Sequence, residues 1–294
     1  MSEETQPKRP LVVVGVDGSD DGLRAVRFGA SVCTMFDAEL LLVHAVDDAM
    51  LAGAWGVVYD PEVLQNAGTT ANEQAKAHAL ERTSIREDQV RTEVVLGSPG
   101  GVLGRLSEVA DLIVVGRRSV SGLERMFVGS TSVSVVANSS CPVLVISDAA
   151  HPQDVGNKGM IGVGMNTSPG NHAVLEHAFK RANQFDVKLE IVHALQPPIG
   201  LLGPKISPND LEEQLRYVQG GLEALAAKVA QSYPEVKYRV KAVVASPINE
   251  LVSRSSNYDL LVLGSSGSNL PGFGLGGLLR GLMAHAECPL YIVS

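Results

Sequence analysis

Cysteine is scarce in this chain. Cys33, Cys141 and Cys288 are scattered along 294 residues. They are too few and too far apart for a disulfide framework or a cysteine-based metal site, so a reducing cytoplasm is the expected setting and packing their expected role. Long apolar runs are missing as well. Stretches such as Leu11–Val14 and Leu40–Val43 fall far short of the ~20 residues that a membrane span needs. A basic cluster is also absent. The net charge of −8 and a pI near 5.4 argue against a nucleic-acid-binding surface. The opening residues MSEETQPKRP lack the basic, apolar and small-residue order of a signal peptide, so none is expected. No Gly-Lys dipeptide occurs, which excludes a Walker A loop. No G-x-G-x-x-G opens a helix after the first apolar run, and there is no G-x-S-x-G elbow. The seven histidines show no metal-ligand spacing. What remains is an ordinary folded composition, 45% apolar and 19% charged, long enough for about two domains.

The chain repeats itself. VVVGVDGS at 12–19 matches IGVGMNTS at 161–168, and ELLLVHAV at 39–46 matches LEIVHALQ at 189–196 around a shared Val-His-Ala. VVLGSP at 94–99 matches AVVASP at 242–247, ADLIVVG at 110–116 matches YDLLVLG at 258–264, and CPVLVIS at 141–147 matches CPLYIVS at 288–294. The offset falls only from 149 to 147 along the chain. Five matches in order at a nearly constant offset mean duplication of a whole domain. The expected division is 9–147, a polar linker at 148–158, and 159–294.

Within each copy, short apolar runs alternate with longer helix-like segments. The first copy reads as strands at Leu11–Val16, Glu39–Val46, Val90–Leu96, Leu112–Gly116 and Val143–Ser147. The intervening helices are expected at 20–36, 62–83, 99–109 and 129–139. Strands that are apolar on both faces, with helices between them, predict a parallel sheet covered on both sides. The expected fold is α/β: two tandem doubly wound domains, each a five-stranded parallel sheet with helices on both faces. Ser19, Ser98, Ser168 and Ser246 are expected helix caps, the last three each followed by proline at the first helical position.

Ligands of such sheets bind beyond the carboxyl ends of the strands. Two loops there are unusual. One is Asp17-Gly18-Ser19, matched by Asn166-Thr167-Ser168. The other is GRRSVSGLERMFVGST at 116–131, matched by GSSGSNLPGFGLGGLL at 264–279. Glycine lets successive N–H groups converge on an anion, and the following helix start adds its dipole. A flexible loop without ligand is the plain alternative. His44 and His193 occupy matching strand ends, where a structural role is favoured over a pocket-lining one.

With these residues in view, the chain resembles a tandem universal stress protein over nearly all of 9–294. The VGVDGS start, the Val-His-Ala of the second strand, and the loop spacing Gly-x2-Gly-x9-Gly followed by Ser or Thr carry the resemblance. It implies strand order 3-2-1-4-5 and ATP bound between strands one and four, with magnesium and the occupancy of each pocket left open. Carried onto this chain, the first pocket is Val16, Asp17, Ser19, Ala45, Gly116, Arg117, Arg118, Ser119, Gly122, Gly129, Ser130 and Thr131. The second is Asn166, Ser168, Ala194, Gly264, Gly267 and Gly277. Both depart from the pattern. Ser119 replaces the second glycine of the first loop, at a cost of about 1 kcal/mol if that position needs positive φ. Asn166 replaces the aspartate of the second copy, and Leu278 its hydroxyl residue. Arg117 and Arg118 suit phosphate, or equally a solvated loop face.

The expected function is a cytoplasmic stress or signalling protein that binds adenine nucleotide, more tightly in the first copy, and is not a dedicated catalyst. One alternative is the same fold with degenerate pockets, acting as a nucleotide-independent interaction module. Another is slow ATP hydrolysis or adenylyl transfer. The resemblance also implies an intramolecular pseudo-dimer through the two fifth strands, with a further homodimer left open.

Overall fold

The computed structural model describes residues 9–47, 60–117, 129–147, 157–166, 171–196, 207–265 and 275–294. They cluster into two compact units that divide between Ile146 and Ser147. The first unit runs β1 (Leu11–Gly15), α1 (Asp20–Phe36), β2 (Glu39–Val46), α2 (Pro61–Arg82), β3 (Val90–Leu96), α3 (Pro99–Leu106), β4 (Leu112–Gly116), α4 (Ser130–Asn138) and β5 (Val143–Ile146). The second runs β6 (Met160–Gly164), α5 (Asn171–Phe185), β7 (Lys188–Leu195), α6 (Pro208–Ala230), β8 (Tyr238–Val244), α7 (Pro247–Ser255), β9 (Leu260–Gly264), α8 (Gly277–His285) and β10 (Leu290–Val293).

In the first unit the parallel ladder runs β3-β2-β1-β4-β5. In the second it runs β8-β7-β6-β9-β10. The central strands are buried at consecutive residues, Val12–Val14 and Ile113–Val115 in the first unit, Leu261–Leu263 in the second. Alternate residues of a strand face opposite sides, so consecutive burial requires cover on both faces. That cover comes from α1 beside α2 and α3 beside α4, and from α5 beside α6 and α7 beside α8. Each fully buried aliphatic side chain contributes about 1.5–3 kcal/mol of burial.

The helix ends explain the chain reversals. Ser19 caps α1: its hydroxyl accepts the Gly22 N–H at 3.1 Å. At the other end Asp37 adopts φ 48°, and Ala38 N–H reaches back to Cys33 O at 3.0 Å. Asp186 repeats this after α5 at φ 51°, with Val187 N–H bonded to Ala182 O. Short polar side chains tolerate this left-handed conformation best after glycine.

Two cap expectations need correction. Ser98 and Ser246 stand at the N-cap positions of α3 and α7, each before a proline, but neither hydroxyl makes the capping hydrogen bond. Their backbone carbonyls instead accept the first helical bonds, from Val102 and Glu250. The proline does not account for this, because Asp60 and Ser207 cap α2 and α6 through their side chains with proline at the same position. α3 also stops at Leu106 rather than 109, giving way to a turn. Ser168 lies outside the described residues, as do residues 148–156 of the expected linker. Among the described residues no helix is long and apolar enough to cross a membrane.

Candidate functional site

In the first unit a cavity of about 390 Å³ opens beyond the carboxyl ends of β1, β2 and β4. Of the residues expected there, Val16, Asp17, Ser19, Ala45, Gly116, Gly129, Ser130 and Thr131 line it together. The order β2-β1-β4 creates the place: the connections from β1 and β4 leave in different directions, and a crevice forms between them.

Local geometry holds each side of the cavity. After β1 the chain turns through Gly18 at φ +76°, a conformation that glycine enters freely. The turn is tied by Asp17, whose Oδ1 accepts the Ser19 N–H at 3.0 Å and the Ser19 hydroxyl at 2.5 Å. Across the cavity, Gly116 lets the start of α1 pass close to the end of β4. A Cβ on residue 116 would lie 2.6 Å from the Asp21 carbonyl oxygen. The third side is the N-terminus of α4, where Gly129 is the N-cap and Ser130, Thr131 and Ser132 fill the first turn. Helix-start N–H groups lack intrahelical partners and carry the positive end of the dipole. Three consecutive hydroxyl residues stand among them.

His44 does both things that its position suggested. Its ring lines the cavity, and Nδ1 lies 2.9 Å from Val16 O. A carbonyl can only accept, so Nδ1 carries the proton, and Nε2 of the neutral ring is left as an acceptor. The apolar wall includes Leu64 of α2 and Leu103 of α3. Neither was expected, because nothing in the spacing of a core leucine distinguishes a cavity wall from a packed interior. Ser132 was also missed, although the run Ser-Thr-Ser carried the signal.

Arg117 is not among the lining residues; its backbone N–H continues the ladder to Ile146 O at 2.7 Å. Arg118, Ser119 and Gly122 lie outside the described residues.

The matching cavity of the second unit is smaller, about 170 Å³. Asn166, Ala194 and Gly264 line it as expected, while Gly267 lies outside the described residues. Gly277 does not line it; Leu278 and Leu279 do. The reason is a shift of one residue. Gly276, not the residue matching Gly129, is the N-cap of α8. Gly277 is therefore exposed, and the two leucines fill the place of Thr131 and Ser132. His193 repeats the bond of His44, with Nδ1 3.0 Å from Met165 O, but its Nε2 is buried without a partner.

The universal stress protein family model matches residues 10–147 and again residues 160–294. The chain belongs to the universal stress protein family. Among its relatives in that family, Rv2005c of Mycobacterium tuberculosis is 30% identical over 302 residues, covering 97% of both chains. A universal stress protein of Mycolicibacterium smegmatis is 28% identical over 96% of both. The crystal structure of a universal stress protein from Archaeoglobus fulgidus shares the fold at a TM-score of 0.70 and 16% identity, covering 97% of this chain and 98% of that one.

Proposed function

We propose that this universal stress protein binds an adenine nucleotide in its first domain only. The observation that carries the reading is the start of α4: Ser130, Thr131 and Ser132 open directly onto a cavity of about 390 Å³. That volume falls within the ~300–1,000 Å³ usual for small-ligand pockets. A helix start bearing hydroxyls suits phosphate oxygens. Val16, Ala45 and Leu64 offer an apolar wall for a base, and Asp17 an acceptor for a ribose hydroxyl. The second cavity, about 170 Å³, is smaller and adjoins a more open one of about 630 Å³ through Asn166 and Asn171. Its helix start presents leucines, which supports a nucleotide-independent role for that half.

We read the first site as one that binds rather than catalyses. Of the three carboxylates lining the cavity, Asp17, Asp21 and Asp47, the first is tied to Ser19 and the second is paired with Arg24 at 2.5 Å, which favours a binding role for them. Isothermal titration with ATP tests the reading. A hydrogen bond to a charged group is worth about 1.5–3 kcal/mol, so Ser130→Ala combined with Thr131→Ala should weaken binding by at least roughly tenfold. Leu278→Ala in the second unit should leave it unchanged. If the parent protein takes up no ATP, the reading falls and the interaction module replaces it.

A further inference from the structure

A second polar cavity, of about 440 Å³, lies in the second unit near the starts of β6 and β8 and the end of α7. That is the opposite end of the second unit's sheet from its own carboxyl-end cavity, and its character does not depend on the nucleotide reading. At its base is Glu190 of β7, with 2% of its side chain exposed. The Tyr258 hydroxyl donates to Oε2, as does Arg254 Nη1 at 3.1 Å. Arg239 Nε donates to Oε1 at 2.8 Å, and Lys241 Nζ lies 3.6 Å from the same oxygen.

Among the described residues the first unit has no buried carboxylate at the matching place; its ion pairs there, such as Arg86 with Asp37 and Asp88, are exposed. The strand registers and the repeat put Val13 where the second unit has Gly162, Leu41 where it has Glu190, Leu106 for Arg254, and Ala110 for Tyr258. Four apolar positions have become Gly, Glu, Arg and Tyr together. The changes are interlocked: a Cβ on residue 162 would lie 2.3 Å from the Tyr258 ring, so the ring fits only over glycine. Stability does not account for the exchange, since well-packed apolar residues usually serve a core as well as a buried ion pair or better.

The charge balance indicates what does. Lys158, Arg239 and Arg254 line the cavity against one carboxylate, Glu190. Lys241 lies beside Glu190, and Glu250 holds Arg254 at 2.6 Å. Asp259 is committed to the N–H groups of Lys158 and Met160. The partial negative charge at the end of α7 falls beside Arg254, where a cation offsets it. Four cations, Lys158, Arg239, Lys241 and Arg254, stand against three carboxylates, Glu190, Glu250 and Asp259, and leave one positive charge over. Arg239 spends only Nε on Glu190, and its outer N–H groups form no other bond among the described residues. Ser256 and Asn257 add neutral polar groups at the rim.

We propose that this cavity is an anion site for a phosphate group, either free or as the monoester end of a small metabolite. The surplus positive charge and the unspent outer N–H groups of Arg239 suit a phosphate group, which carries ~−1.5 to −2 at neutral pH. Glu190 acts as the fixed internal counter-ion that sets the arginines in place. The phosphate is taken by Arg239 and Lys158.

The test is residue-resolved NMR of the full chain in phosphate-free buffer, titrated separately with inorganic phosphate and with glycerol phosphate up to about 10 mM. The expected result is saturable shifts at the amides of Arg239, Ser256 and Asn257. Lys158→Ala with Arg239→Ala should weaken them by at least about tenfold, the loss of charge-assisted hydrogen bonds. Because Arg239 also holds Glu190, thermal denaturation must show the double variant folded, and Lys158→Ala alone, at an exposed residue, should weaken the shifts in the same direction. Tighter binding of the monoester identifies a phosphorylated metabolite as the ligand; equal binding identifies free phosphate. Shifts confined to Gly129–Ser132, no saturation, or undiminished binding in the double variant would each overturn the site while leaving the nucleotide reading intact.

Discussion

Glu190 sits in a strand whose neighbours Leu189, Ile191 and Val192 are all buried and apolar. Its motif, LEIVHALQ, reads as one more buried strand, and no spacing in the sequence joins it to Tyr258 or Arg254. Only the ladder register and the turn after α7 bring them together, so this cluster was not legible from the chain. Burial alone would raise the carboxyl pKa. The Tyr258 hydroxyl and the charges of Arg254, Arg239 and Lys241 outweigh that and hold it below the ordinary 4.5. Burial and the same carboxylate push the Tyr258 phenol upward. A carboxyl with a lowered native pKa stabilises the fold above its unfolded-state value, and that stability is lost as pH falls through the native value. Removing one partner of a buried ion pair costs about 3–5 kcal/mol. Glu190→Gln should therefore lower the stability of the second unit by roughly that amount near neutrality, and the gap to the parent should close below pH 4.5. Urea midpoints across this range decide it. A gap that stays constant with pH means that charge at Glu190 is not what stabilises the cluster.

At the scale of elements, strands and helices were readable because their apolar pattern and length leave little choice: an apolar run bounded by Asp-Gly-Ser or by Gly is a buried parallel strand. The helix starts were less readable. Four serines in cap positions look alike in sequence, yet of those described only Ser19 closes its cap with the side chain. Proline at the first helical position does not decide it, since Asp60 and Ser207 close the caps of α2 and α6 ahead of a proline; at Ser19 the hydroxyl is held by Asp17, whose carboxylate accepts both its N–H and its O–H. The one-residue shift at α8 was hidden for a similar reason: Gly276-Gly277 offers two equivalent starts, and spacing alone selects the wrong one. Losing a side-chain N-cap costs about 0.5–2 kcal/mol. Ser19→Ala should fall in that range, while Ser98→Ala and Ser246→Ala should stay within about 0.5 kcal/mol of the parent, as changes with no lost bond do. Thermal denaturation of the three variants checks the contrast. Equal losses at all three would mean that the cap hydroxyls of α3 and α7 do act.

Across the whole chain, duplication has kept the two cores and let the two ends of each sheet diverge. The five matched motifs are mostly buried strand sequence, and the same ladder order results twice. What differs is polar. The first unit keeps hydroxyls at the α4 start and has exposed ion pairs among Arg9, Asp37, Arg86 and Asp88 at its opposite end, while the second has leucines at the α8 start and the buried Glu190 cluster at its opposite end. On this division of labour one chain takes up one nucleotide, not two. A ligand that binds only the folded state stabilises it by about 2.7 kcal/mol at a hundred times its Kd, and that stabilisation belongs to the unit that holds it. Titration calorimetry should therefore give one ATP per chain. Hydrogen exchange at saturating ATP should slow in β1, β4 and the first turn of α4, while β6, β9 and α8 exchange as before. Two nucleotides per chain, or protection that appears equally around Leu278, would mean that the leucines at the second helix start do not exclude phosphate. Backbone geometry would then outweigh the hydroxyls that distinguish the first site.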